Sequence, residues 1–211
     1  SGMETGSDRI LKLINKGFDV DTVVKSGCMA KEADMILSEF ILLGIGGKEL
    51  SEENAAQTAK ALNIIQPDFI RVHATGIKLE SKLGEFVRNG SFALQSEEEI
   101  VVEQKLFLQQ LHEMDSYYVN EHIVNLLLEV RGNLRTEKQE MLSTIDRFLT
   151  LPPDERLLFA VGRRLNIFFR LDDLKKPKLH QKAGESLQQI LSKNPHVDFA
   201  ALCNYVRQSQ I

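Results

Sequence analysis

Two short apolar runs separated by one helix-length segment constrain this chain more than any other feature. The first is Met35-Ile36-Leu37-Ser38-Glu39-Phe40-Ile41-Leu42-Leu43, and the second is Asp68-Phe69-Ile70-Arg71-Val72-His73-Ala74. Both have the length and the β-branched or aromatic content of strands. Between them Ser51 opens a helix, Glu52 and Glu53 favour its positive end, Ala55, Ala56, Ala59 and Leu62 form its stripe, and Pro67 closes the segment. Strand, helix and strand in that order predict a right-handed βαβ unit and a parallel sheet. The first run is nearly all apolar, which predicts a strand covered on both faces.

The surrounding segments read as helices. One follows Gly6-Ser7-Asp8, with Ser7 or Asp8 as its cap and Ile10, Leu11, Leu13 and Ile14 as its stripe, and Gly17 ends it. A second is expected over about 21–33, with Val23, Val24 and Met29 facing inward. The residues before Gly6 then read as the end of an earlier strand. Beyond Ser96 nearly everything is helical in pattern. Ser96-x-x-Glu99 is a capping box ahead of Ile100, Phe107, Leu108 and Leu111. Tyr117-Tyr118-Val119 is a short extended piece, and helices are expected over 123–130, 136–149, 154–168, around Leu187 to Leu191, and over 199–206. The boundary between the two styles divides the chain into 1–92 and 93–211, an α/β portion and an all-α portion.

Twenty-six Lys and Arg against thirty Asp and Glu give a formal charge of −4, which argues against a nucleic-acid partner. No apolar run approaches membrane-spanning length. Cys28 and Cys203 form neither a disulfide framework nor a C-x-x-C pair, so a reducing, cytoplasmic setting is expected. No P-loop, dinucleotide fingerprint, G-x-S-x-G elbow or H-E-x-x-H is present.

Ligands of parallel α/β folds bind at the carboxyl ends of the strands, and three such ends are legible. At Glu4-Thr5-Gly6-Ser7-Asp8 the glycine allows a sharp turn, and Glu4 can accept hydrogen bonds from ribose hydroxyls or an ammonium group. At Gly44-Ile45-Gly46-Gly47-Lys48-Glu49 the missing side chains let a flat ring lie against backbone. At Arg71-Val72-His73 the alternation of a strand puts Arg71 and His73 on one face, with Phe69. That face is either the interior of a barrel or the side under covering helices. Each feature also has a structural reading: a turn, a helix-capping arginine, a satisfied histidine. His112 and His122 lie on stretches read as helical and are expected to be structural, as is Cys28 inside its helix.

Taken together, these junctions resemble the second half of a radical S-adenosylmethionine (radical SAM) enzyme. At the end of the fourth barrel strand that family has Gly, apolar, Glu or Gln, Ser or Thr, Gly, Ser, Asp, then apolar-Leu and Lys-Gly. Gly2-Met3-Glu4-Thr5-Gly6-Ser7-Asp8, Ile10-Leu11 and Lys16-Gly17 match it. Gly44 to Glu49 resembles the turn after the fifth strand, Phe69-Ile70-Arg71-Val72 the sixth strand, and Thr75 to Leu83 a substrate-side loop. The resemblance covers about residues 2–92, and the rest resembles a variable C-terminal extension. It implies a partial (β/α) barrel of parallel strands followed by an all-α region. It also implies that Glu4 contacts the SAM ribose or amino group, Thr5 and Ser7 add hydrogen bonds, Gly44 and Ile45 border the adenine, and Arg71 or His73 faces the SAM carboxylate or the substrate. It assigns no catalytic residue.

The family's cofactors are SAM and a [4Fe-4S] cluster held by Cys-x-x-x-Cys-x-x-Cys. This chain has no such triplet. The resemblance therefore implies a C-terminal fragment of a larger enzyme, inactive alone, with neither cofactor bound and with the missing N-terminal barrel half as its partner. The cut sheet edge leads to an expected edge-strand homodimer. The substrate is not specified. The alternative is a helical protein-interaction or regulatory module on a non-catalytic α/β scaffold. A complete small α/β protein with an unrelated ligand is a third reading.

Overall fold

A computed structural model describes residues 1–210. Its strands are β1 (Gly2–Glu4), β2 (Ser38–Leu43), β3 (Phe69–Ala74), β4 (Tyr117–Val119) and β5 (Gly132–Asn133). Its helices are α1 (Asp8–Leu13), α2 (Val20–Glu32), α3 (Ser51–Ile65), α4 (Lys82–Arg88), α5 (Glu97–Gln110), α6 (Lys138–Leu149), α7 (Pro153–Arg164), α8 (Pro177–Lys193) and α9 (Phe199–Gln208), with a 3₁₀ turn at Leu171–Lys175. The sheet order is β1-β2-β3-β4-β5. The first four strands are parallel, and β5 runs antiparallel to β4. Each crossover advances one strand in the same direction, as the strands of a (β/α) barrel do, and no strand order reversal interrupts it. The fold is thus α/β, a mostly parallel sheet followed by a helical C-terminal region.

Several helices begin where the sequence supplies a cap. Ser7, Asp19, Ser81 and Ser96 each accept a backbone N–H of the following turn, and Ser96 and Glu99 complete the expected capping box. Helix α1 stops at Leu13, earlier than Gly17, because Asn15 already takes a left-handed conformation at φ 54°. Helix α7 stops at Arg164. Asn166 is left-handed (φ 57°), and the N–H of Ile167 turns back to the carbonyl of Gly162 at 2.8 Å.

Three expectations are corrected. Strand β2 begins at Ser38, and Met35 and Ile36 are 60% and 80% exposed, so the apolar run overstates the strand. Met29 is exposed rather than inward. Residues 123–130 form turns instead of a helix. The last has a clear cause in Asn125. Its amide donates to the Val72 carbonyl at 2.7 Å and accepts the Ala74 N–H at 2.7 Å, standing in for a strand neighbour where the short β4 has ended. Asn120 fixes the same segment by accepting from Asn125 and donating to the Leu127 carbonyl.

One face of the sheet is buried, and the other is not. Met3, Ile41, Leu43, Ile70, Val72, Ala74 and Tyr118 pack into the main apolar core with α3 and α5. The opposite face carries Phe40, Leu42, Phe69, Arg71, His73 and Tyr117, all accessible to some degree. The expected two-sided cover of β2 is therefore also corrected: the main core covers one side, and on the other only Leu42 is packed, against the small cluster of Ile10, Ile45 and Leu50, while Phe40 stays exposed. Residues on both sides of 92 and 93 share that core, and β4 and β5 come from the later segment.

Candidate functional site

Because β1, β2 and β3 are adjacent and parallel, the turns at their carboxyl ends lie along one edge of the sheet. In the first, Glu4 is left-handed (φ 63°), and its carboxylate accepts from Lys16 Nζ at 2.7 Å. Thr5 is fully buried, and its Oγ1 accepts the Ser7 N–H at 3.1 Å. Ser7 Oγ accepts the Ile10 N–H and donates to Glu53. Gly6 donates its N–H to Thr58 Oγ1 at 2.9 Å, and a Cβ there would fall 2.3 Å from the Gln57 carbonyl oxygen. Thr5, Gly6 and Ser7 thus dock the turn on α3, and the half-buried Glu4 is the polar side chain left near the open face.

The second turn is held from behind. Gly44 (φ 82°) donates its N–H to Glu103 Oε1 at 3.0 Å. Glu103, on α5, also accepts from Asn54 Nδ2 at 2.7 Å and Ser51 Oγ at 2.8 Å. Burial pushes the Glu103 carboxyl pKa up in spite of those three donors. Ile45 is buried against Ile10 and Leu50, under the turn. Glu103 was not singled out in the sequence, because a carboxylate inside a helix gives no local sign that it reaches a turn fifty-nine residues away.

Arg71 and His73 stand side by side on the open face. Arg71 Nε donates to Ser38 Oγ at 3.0 Å, and its guanidinium lies 5.8 Å from the Phe40 ring centre and 5.9 Å from that of Phe69. No carboxylate pairs with it among the described residues. The His73 ring meets Phe40 edge-on at 5.5 Å and lies 4.3 Å from the ring of His122, tilted by 32°. Burial lowers the His73 pKa, and His122 and Arg71 lower it further, while Glu4 opposes them. His122, expected to be a structural residue on a helix, instead sits in the irregular segment that Asn120 and Asn125 hold against β3. Its approach to His73 follows from β4 joining β3 in parallel, for which Tyr117-Tyr118-Val119 is the one sequence sign.

Of the seven candidate positions, Glu4, Arg71 and His73 converge on the open face, whereas Thr5, Ser7, Gly44 and Ile45 are engaged within the turns. The open face offers a carboxylate at the end of β1, a guanidinium without an ionic partner midway along β3 and aromatic faces beside it, a set suited to a zwitterionic ligand carrying a flat ring. No group of three His, Cys, Asp or Glu side chains able to hold a metal ion occurs among the described residues. No helix among them is long and apolar enough to cross a membrane.

Comparison with known proteins finds no matching family model and no matching curated protein. Among solved structures, the archaeal Methanocaldococcus infernus Elp3 with an N-terminal deletion (1–46) is similar at TM-score 0.46 and 21% identity, over 54% of this chain and 27% of that one. The similarity therefore spans about a quarter of that protein's length.

Proposed function

We propose that this chain is the C-terminal portion of a radical SAM enzyme, with its strand ends lining one side of a cavity for SAM and substrate. On this reading a missing N-terminal half of the barrel supplies the other side. The observation that carries the reading is the convergence on the uncovered face of Glu4, at the carboxyl end of β1, with Arg71 and His73 of β3, across the parallel strand β2 that lies between them. The donor set fits SAM. Glu4 accepts from ribose hydroxyls or the ammonium group, Arg71 pairs with the carboxylate, and the Phe40 ring gives the adenine a flat neighbour. Thr5, Ser7, Gly44 and Ile45 act from behind by fixing the two turns. Bound SAM supplies the sulfonium whose reductive cleavage begins the family's reaction.

The residues present do not fit a [4Fe-4S] cluster. The two thiols are Cys28, on α2, and Cys203, on α9, and burial pushes the Cys203 thiol up to about 12. No step through a cluster is derived from them. The missing half would hold it, and the chain alone would not cleave SAM.

Calorimetric titration of the full-length protein, this chain joined to the missing half of the barrel, with SAM and S-adenosylhomocysteine, read together with the His73 ring signals by NMR, tests the reading. Binding that moves His73, and that weakens about tenfold in Arg71→Ala or Glu4→Gln, is the expected result. Binding indifferent to both substitutions would overturn it, as would a coding sequence upstream of Ser1 without a Cys-x-x-x-Cys-x-x-Cys loop.

A further inference from the structure

One groove on this acidic chain is lined by an excess of cations. It lies between α1, the turn at 46–50 and the segment 86–93, and its volume is about 460 Å³, within the ~300–1,000 Å³ of small-molecule sites. Leu13, Leu50 and Phe92 give it an apolar floor, and Arg9, Lys12 and Lys48 stand at its rim against one carboxylate, Glu49. The other four grooves described carry more carboxylates than basic side chains. The charges here are also partly unused. Lys12 is exposed and pairs with no carboxylate among the described residues, and Arg9 approaches Glu53 only at 3.7 Å. Lys48 is held by Glu99 at 2.8 Å. The walls are preformed: Lys48 N–H donates to the Ala93 carbonyl and Phe92 N–H to the Phe86 carbonyl, both at 3.0 Å.

We propose that this groove binds an organic anion with a ring-sized apolar body. Its phosphate or carboxylate meets Arg9 and Lys12, and its body lies on Leu50 and Phe92. Burial of the ring supplies the attraction, and the two cations fix the orientation. The proposal is independent of the radical SAM reading, because none of these residues lies on the open face of the sheet.

The test titrates the whole chain at low salt with naphthyl phosphate, naphthoate, naphthol and inorganic phosphate. Naphthyl phosphate is expected to bind at about 0.5 mM. Naphthol and inorganic phosphate are each expected to bind at least about tenfold more weakly, since each lacks one half of the recognition. Binding of either anion supports the site, and the tighter one identifies the head group. Lys12→Glu and Arg9→Glu, both at exposed positions, should each weaken binding about tenfold, whereas Lys60→Glu on α3 should leave it unchanged. Added salt should weaken it too. Naphthol binding as tightly as the anions, affinity unmoved by both rim substitutions, or no binding at ten times the expected concentration would overturn the proposal.

Discussion

Glu97 opens α5 with its carboxylate buried between two arginines from distant parts of the chain. Arg164 of α7 donates to it through Nε at 2.9 Å and Nη2 at 2.6 Å, and Arg207 of α9 donates through Nη1. The three side chains are at most 5% exposed. Burial alone would push the Glu97 pKa up, but the two guanidinium charges and their hydrogen bonds overcome it and bring the carboxyl down to about 2 from an ordinary 4.5. At about 1.4 kcal/mol per tenfold change in proton affinity, that fall corresponds to roughly 3 kcal/mol of folding stability. The cost expected for removing one partner of a buried pair, about 3–5 kcal/mol, has the same size. Glu97→Gln keeps the shape and deletes the charge, so urea unfolding at neutral pH should show a loss of about 3 kcal/mol. The sign with pH follows from the lowered pKa. The contribution is fully present above about 4.5 and is lost as pH falls toward about 2. The gap between wild type and Glu97→Gln should therefore close over that interval, because a protonated glutamic acid and a glutamine are electrically alike. A gap below about 1 kcal/mol at neutral pH, well short of the cost of a broken buried pair, or one that stays constant down to pH 2, would refute the reasoning.

Other outcomes follow from the same geometry. His73 should titrate below the ordinary histidine value in an NMR titration, with Glu4→Gln lowering it further and His122→Asn raising it. Since the unfolded chain then binds the extra proton first, its contribution to stability is present above about pH 6.5 and lost as pH falls through the folded-state value. Gly6→Ala should lower the melting temperature by an amount equivalent to about 1–3 kcal/mol, because its Cβ meets the backbone of α3 rather than a movable side chain. Strand β1 pairs with β2 and has no strand on its other side among the described residues. Light scattering should therefore detect a concentration-dependent dimer that Lys substitution at Gly2 weakens. A monomer at every concentration would count against this.

How much of this was legible in the sequence depends on how local each cause is. The βαβ order, the caps at Ser7 and Ser96, and the helix that begins at Ser51 rest on neighbouring residues, and the structure has them. Met35 and Ile36 misled because an apolar run marks burial propensity but not where pairing starts. Strand β2 enters the ladder only at Ser38, opposite Phe69. The 123–130 segment has a helical apolar spacing, yet Asn125 draws it onto β3 with two backbone bonds that no local pattern records. The same holds for the site. Alternation along β3 was enough to put Arg71 and His73 on one face, whereas His122 and Glu103 reach it through tertiary contacts across tens of residues.

The buried charges also bear on what the helical region does. Asn204 of α9 accepts the Ile77 N–H at 2.8 Å and donates to the Ile77 carbonyl at 2.9 Å, and Arg207, one turn later, donates to the Thr75 carbonyl at 3.0 Å. Residues 75–77 are the continuation of β3 just past His73, so the final helix holds the segment that leaves the candidate site. A module that served only to recruit a partner would turn its polar side chains to solvent. Here Asn204, Arg207 and Arg164 turn inward, and Glu97 ties the last two together. Separating α9 from the sheet would strip backbone groups of residues 75–77 of their partners and leave Glu97 with one arginine, an outcome opposed by several kcal/mol. The helices thus act as a clasp on the β3 exit, and the position of that exit is coupled to the packing of the chain's last helix.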